Sequence, residues 1–85
     1  MDKEKLIAAG RELKSITTKE HKVKVMMDGI INNYGRVSDR DTADGIISSC
    51  LLGEIECQEM IDVLNGPDED RRQAIKYFLA GYCNN

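Results

Sequence analysis

The chain has no Trp, one Pro, one His and only four aromatic residues, one Phe and three Tyr. Without large aromatic side chains its core must come from Ile, Leu, Val and Met, a small but sufficient set. No stretch approaches the roughly 20 consecutive apolar residues of a membrane span. The opening MDKEKLIAAG is too charged for the apolar region of a secretory signal. Three cysteines make an odd number, and their spacing matches no disulfide framework. A secreted domain of this size would carry an even set of bridges, so the expected location is a reducing cytoplasm.

What is present suits a folded chain. Eighty-five residues make one expected domain, 1–85, with 41% hydrophobic and 32% charged residues. That apolar share offsets the ordering entropy, which argues against disorder. The margin is thin, because a chain this short buries only about 60–65% of its unfolded surface. The net charge of −3 hides a split. Residues 1–40 hold nine Lys/Arg against six Asp/Glu, and residues 41–85 hold three against nine, or +3 and −6. Unlike halves can pair head to tail, present one sign to a partner, or simply be two solvated faces folded together.

Hydrophobic spacing reads as helix throughout. Leu6, Ala9, Gly10, Leu13 and Ile16 form one stripe. Thr17 with Glu20 three positions on predicts a capping box opening a second helix. Two stretches then share Asp-Gly-Ile-Ile, MMDGIINNY and TADGIISSC. An Asp28-Gly29 hairpin is the competing reading, since Val23, Val25 and Met27 alternate. Yet Val23, Met26, Met27, Ile30, Ile31 and Tyr34 all fall on one helical face, with Gly35 placed to terminate it. Helix is the better fit. Ser38 and Asp41 predict the next start, and Ala43, Ile46, Ile47, Cys50 and Leu51 the next stripe, ended by Gly53. Ile55 should tuck inward. Cys57, Met60, Ile61 and Leu64 form a fourth stripe closed by Asn65-Gly66. Pro67 with Asp68, Glu69 and Asp70 opens a fifth helix whose core face is Ala74, Ile75, Phe78, Leu79 and Tyr82. The tail Cys83–Asn85 is expected to fray. The fold expected is all-α, a compact bundle of four to five short helices.

Glycines 10, 29, 45 and 81 fall inside these helices, each costing about 0.8–1 kcal/mol relative to Ala. They reflect local tolerance or close helix packing. Alternatively, Gly29 and Gly45 leave flat patches for another chain's backbone.

No constellation carries catalytic chemistry, and no cofactor or metal is expected. Cys50, Cys57, Cys83 and His21 lack the close ligand pairs of a structural zinc site. Cys50 and Cys57 instead complete apolar stripes, and Cys83 should be exposed. In DRDTADG the acids and Gly fall out of calcium-loop register, with Cys50 where the twelfth-position carboxylate belongs. His21 has no orienting partner for a Cys–His nucleophile pair. Phosphate-loop, dinucleotide, metalloprotease and serine-hydrolase motifs are all missing.

Two binding classes remain. Lys14, Lys19, Lys22 and Lys24 cluster around the first inter-helix turn and suit phosphates, the basis of a nucleic-acid-associated regulator. Against it stand the pI near 5.1 and the acidic second helix of the 39–65 helix pair. The favoured class is protein binding by a non-catalytic adaptor or inhibitor, alone or as a homodimer. Ile7, Val25, Leu52, Val63 and Tyr77 lie off their stripes. On the last helix Gln73, Tyr77, Ala80 and Gly81 share one side, a Tyr over small residues. The candidate contact set is therefore Val25, Gly29, Gly45, Gln73, Tyr77, Ala80 and Gly81. Helical chains of this size and plainness are common among phage and mobile-element accessory proteins that act on host systems, an analogy of type and not of residues.

Overall fold

A computed structural model describes residues 1–84. Five helices follow one another: α1 (Lys3–Ile16), α2 (His21–Asn33), α3 (Asp39–Leu52), α4 (Gln58–Leu64) and α5 (Asp68–Cys83). The described residues contain no strand, so the all-α reading holds, and both Asp-Gly-Ile-Ile stretches are mid-helix. Helix α5 continues through Cys83, where fraying was expected; Asn85 lies outside the described residues.

Local chemistry sets most of the boundaries. The Asp2 carboxylate accepts from the Lys5 N–H at 3.2 Å, and the Ser38 hydroxyl accepts from the Asp41 N–H at 3.1 Å, each satisfying an orphan donor of a first turn. Gly35, with φ +85°, takes the left-handed position after α2. The expected capping box at Thr17 and Glu20 does not form. Thr17 stays helical, and its hydroxyl donates back to the Lys14 carbonyl at 2.6 Å. Thr18 does the same to Ser15 at 2.9 Å. These hydroxyls close the end of α1 instead of opening α2, whose N-cap Glu20 makes no side-chain cap.

The end of α3 also departs from expectation. Gly53 is the C-cap, but the left-handed residue is Glu54, with φ 58°. The Glu54 N–H bonds the Leu51 carbonyl and the Ile55 N–H bonds the Cys50 carbonyl, the paired bonds of a Schellman ending. That turn drives Ile55 inward, as the sequence implied. Gly53 serves packing instead: a Cβ there would meet the Leu13 side chain at 3.2 Å.

One core joins all five helices. Leu6, Leu13, Val23, Met27, Ile46, Met60, Ile75 and Phe78 are completely buried. Helices α1 and α5 form its spine and run in the same direction, since Met1 and Asp2 neighbour Pro67 and Asp70 while Lys14 lies over Tyr82. They touch backbone to backbone. A Cβ on Gly10 would stand 2.1 Å from the Phe78 carbonyl oxygen, and one on Gly81 2.0 Å from that of Ile7. Only glycine permits this approach.

Three stripe assignments rotate. Leu51 is 68% exposed, while Thr42 and Ser49 turn inward, because α3 presents the face 42, 43, 46, 49 and 50 to the core. On α4, Ile61 is 38% exposed and Val63 is buried in its place. On α2, Met26 and Tyr34 are exposed, and Val23 and Met27 carry the contact.

Candidate protein-interaction face

Helix α3 packs against α2 on one side and α4 on the other, so the three make one broad layer. On its outer side the large apolar residues collect. Val25, Met26 and Leu52 line one hollow with His21 and Lys22. Met26 continues into a second with Gly29, Ile30, Asn33 and Val37. Across α3, Leu51, Ile55 and Ile61 line a third with Glu56, Cys57 and Gln58. Single exposed apolar residues are normal on a monomer; a contiguous set marks an interaction surface. The hollows, of about 300, 390 and 440 Å³, fall at the small end of the range for small-molecule sites. Their alignment along one layer suits a protein surface better.

The structure splits the residues expected at a contact patch. Val25 and Gly29 do lie on this face, and nothing would meet a Cβ at Gly29 within 4 Å. Gly45 does not present a flat patch, because a Cβ there would meet the Ile30 side chain at 3.0 Å. Gly81 is buried under α1 and belongs to no outward surface. Tyr77 is half-buried beside the core, with the Lys3 ammonium 5.3 Å from its ring centroid. Gln73 and Ala80 are likewise half-buried. The patch expected on α5 is thus largely consumed by α1.

Sequence reasoning missed Met26, Leu51 and Ile61 by assigning them inward. One signal was available: Leu51 lies about 140° around a helix from Ile46, well outside the arc that Ala43, Ile46 and Cys50 define.

Comparison with known protein families, curated proteins and solved structures finds no match.

The lysines of the nucleic-acid reading stand in different surroundings. Lys14 lies half-buried over the Tyr82 ring, 4.9 Å from its centroid, and burial pushes the Tyr82 phenol above its usual range. Lys24 pairs with Asp28 at 2.7 Å. Lys19 is exposed in the turn after α1, and Lys22 borders the apolar hollow.

No group of three or more His, Cys, Asp or Glu among the described residues is arranged to hold a metal. Cys50 and Cys57 are buried and Cys83 is exposed, as their stripe positions implied. The two buried thiols share a hydrogen bond that raises Cys50, with burial adding to it, and lowers Cys57. Burial controls access, so a maleimide should label Cys83 alone in the native protein and all three cysteines in denaturant. Intact-mass measurement counts the adducts; rapid native labelling of Cys50 would contradict its burial.

Proposed function

We propose that the chain is a non-catalytic protein-interaction module, an adaptor or inhibitor that docks through the outer face of α2, α3 and α4. One observation carries this reading: Val25, Met26, Leu51, Leu52 and Ile61 are exposed on adjoining parts of one layer. Burying such side chains contributes roughly 25 cal/mol per Å² of apolar area, the main source of binding energy for a patch with few fixed polar groups. Exposed Lys22 and Glu56 border the apolar hollows and supply the polar rim expected of a contact.

Capture on the tagged protein from host lysate, with and without nuclease, tests this. The wild-type chain should retain a protein in stoichiometric amount after nuclease treatment. Val25→Asp and Leu52→Asp should each reduce retention at least about tenfold, equivalent to about 1.4 kcal/mol, with unchanged melting temperature. Both side chains already face water, so their replacement leaves the core intact. Retention that disappears with nuclease and falls steeply with salt would instead favour the basic N-terminal half.

A further inference from the structure

We infer that the partner this face fits is a second copy of the same chain, an inference that rests on the docking role just assigned. The order of charge across the layer points to this partner. Helix α2 brings Lys22 and His21 to one edge, the C-terminal half of α3 brings Leu51 and Leu52 to the middle, and the approach to α4 brings Glu56 to the other edge. On α2 the acidic Asp28, which would break this order, is paired with Lys24 at 2.7 Å.

A face ordered basic, apolar, acidic is its own complement under a twofold axis lying along α3. That rotation sets α3 on α3, with Leu51 of each copy against Leu52 of the other, and lays the Lys22 edge of each copy over the Glu56 edge of the other. A twofold axis perpendicular to α3 within the face would oppose like charges, so the charge order selects one arrangement. Isologous contacts of this kind are the commonest route to a homodimer. Asp41 and Asp44, on the N-terminal half of α3, are exposed and would repel their twins. The two α3 helices therefore splay apart at that end and meet through the C-terminal half, where the apolar residues stand. The split of +3 and −6 between the chain's two parts acquires a purpose in this arrangement, since each copy sets part of its basic half against the acidic half of its twin.

Sedimentation velocity from about 1 µM to about 1 mM spans the dissociation constants such a contact would have. The wild-type chain should convert from monomer to dimer within that range, and Leu51→Asp should remain monomeric throughout with an unchanged melting temperature. Lys22→Glu and Glu56→Lys should each weaken self-association at least about tenfold. Mixing those two variants should restore a heterodimer, because both edge pairs then carry opposite charges again. A chain that stays monomeric at every concentration overturns the inference, as does a dimer indifferent to Leu51→Asp or a mixture that gains nothing. The two readings fail separately. A monomeric chain whose capture of a different protein is lost in Val25→Asp and Leu52→Asp removes the dimer and keeps the docking face. A monomeric chain whose capture ignores both substitutions removes both.

Discussion

Gly81→Ala should lower the melting temperature, while Gly29→Ala raises it. Both glycines occupy helix interiors, where Ala is intrinsically better by about 0.8–1 kcal/mol. Surroundings alone separate them. At Gly29 the added methyl enters open space, so the propensity gain survives. At Gly81 it would stand 2.0 Å from the Ile7 carbonyl oxygen, against a backbone that cannot swing aside as a side chain would. Helices α1 and α5 must then separate, and the gap weakens contacts along the spine of the core. Overpacking of this kind costs about 1–3 kcal/mol, and the upper end applies against rigid backbone, so after the propensity gain of about 1 kcal/mol the expected net loss at Gly81 is about 2 kcal/mol. For a domain of this size that is a fall of about 8–16 °C, against a rise of about 3–8 °C for Gly29→Ala. Thermal unfolding followed by circular dichroism measures both. If Gly81→Ala also raised the melting temperature, the backbone contact between α1 and α5 would be wrong.

Arg71→Met should be the second severe substitution, although Arg71 is one of three basic residues in an acidic half. Its side chain is 8% exposed. The guanidinium donates to the Leu64 carbonyl from Nε at 3.0 Å and from Nη2 at 2.7 Å, and to the Gly66 carbonyl at 3.1 Å. It also pairs with Asp68. Leu64 is the last residue of α4, so this cation fills the role of a C-terminal cap, satisfying carbonyls and complementing the helix dipole. Met keeps the apolar stem but leaves those acceptors without donors. Hydrogen bonds from a charged group are worth about 1.5–3 kcal/mol, so the expected loss is about 3 kcal/mol. Lys should recover part of it, because a point charge cannot reproduce the planar fork. Asp68→Asn should cost under about 1 kcal/mol, since that carboxylate is 86% exposed and the pair is solvent-screened. Urea titration separates the three variants by midpoint at constant slope. Equal losses for Arg71→Met and Asp68→Asn would place the stabilisation in the ion pair and not in the cap.

Neither effect was legible in the residues. Gly81 looked like part of an outward patch with Gln73, Tyr77 and Ala80, because a helix wheel of α5 does not know that α1 approaches from that side. Arg71 entered only as one of the three basic residues of the acidic half. In both cases the missing knowledge was which neighbour arrives and how closely.

The number and type of elements were legible, because periodicity and punctuation are local. Gly35, Ser38 and Pro67 sit where the boundaries fall, and Leu6, Leu13, Met27, Ile46, Ile75 and Phe78 are where a 3.6-residue period puts a core. Capping was less secure. Thr17 had two legitimate uses for its hydroxyl, and the choice between closing α1 and opening α2 depends on the path of the next few residues.

The candidate face marks the same division. By itself the sequence determined an all-helical chain with buried Cys50 and Cys57, and with Val25 and Leu52 off their stripes. Only the tertiary structure decided that Met26, Leu51 and Ile61 join them outside. A stripe wider than the space available must shed its edge residues to solvent, and the width of that space is set by the helices on either side.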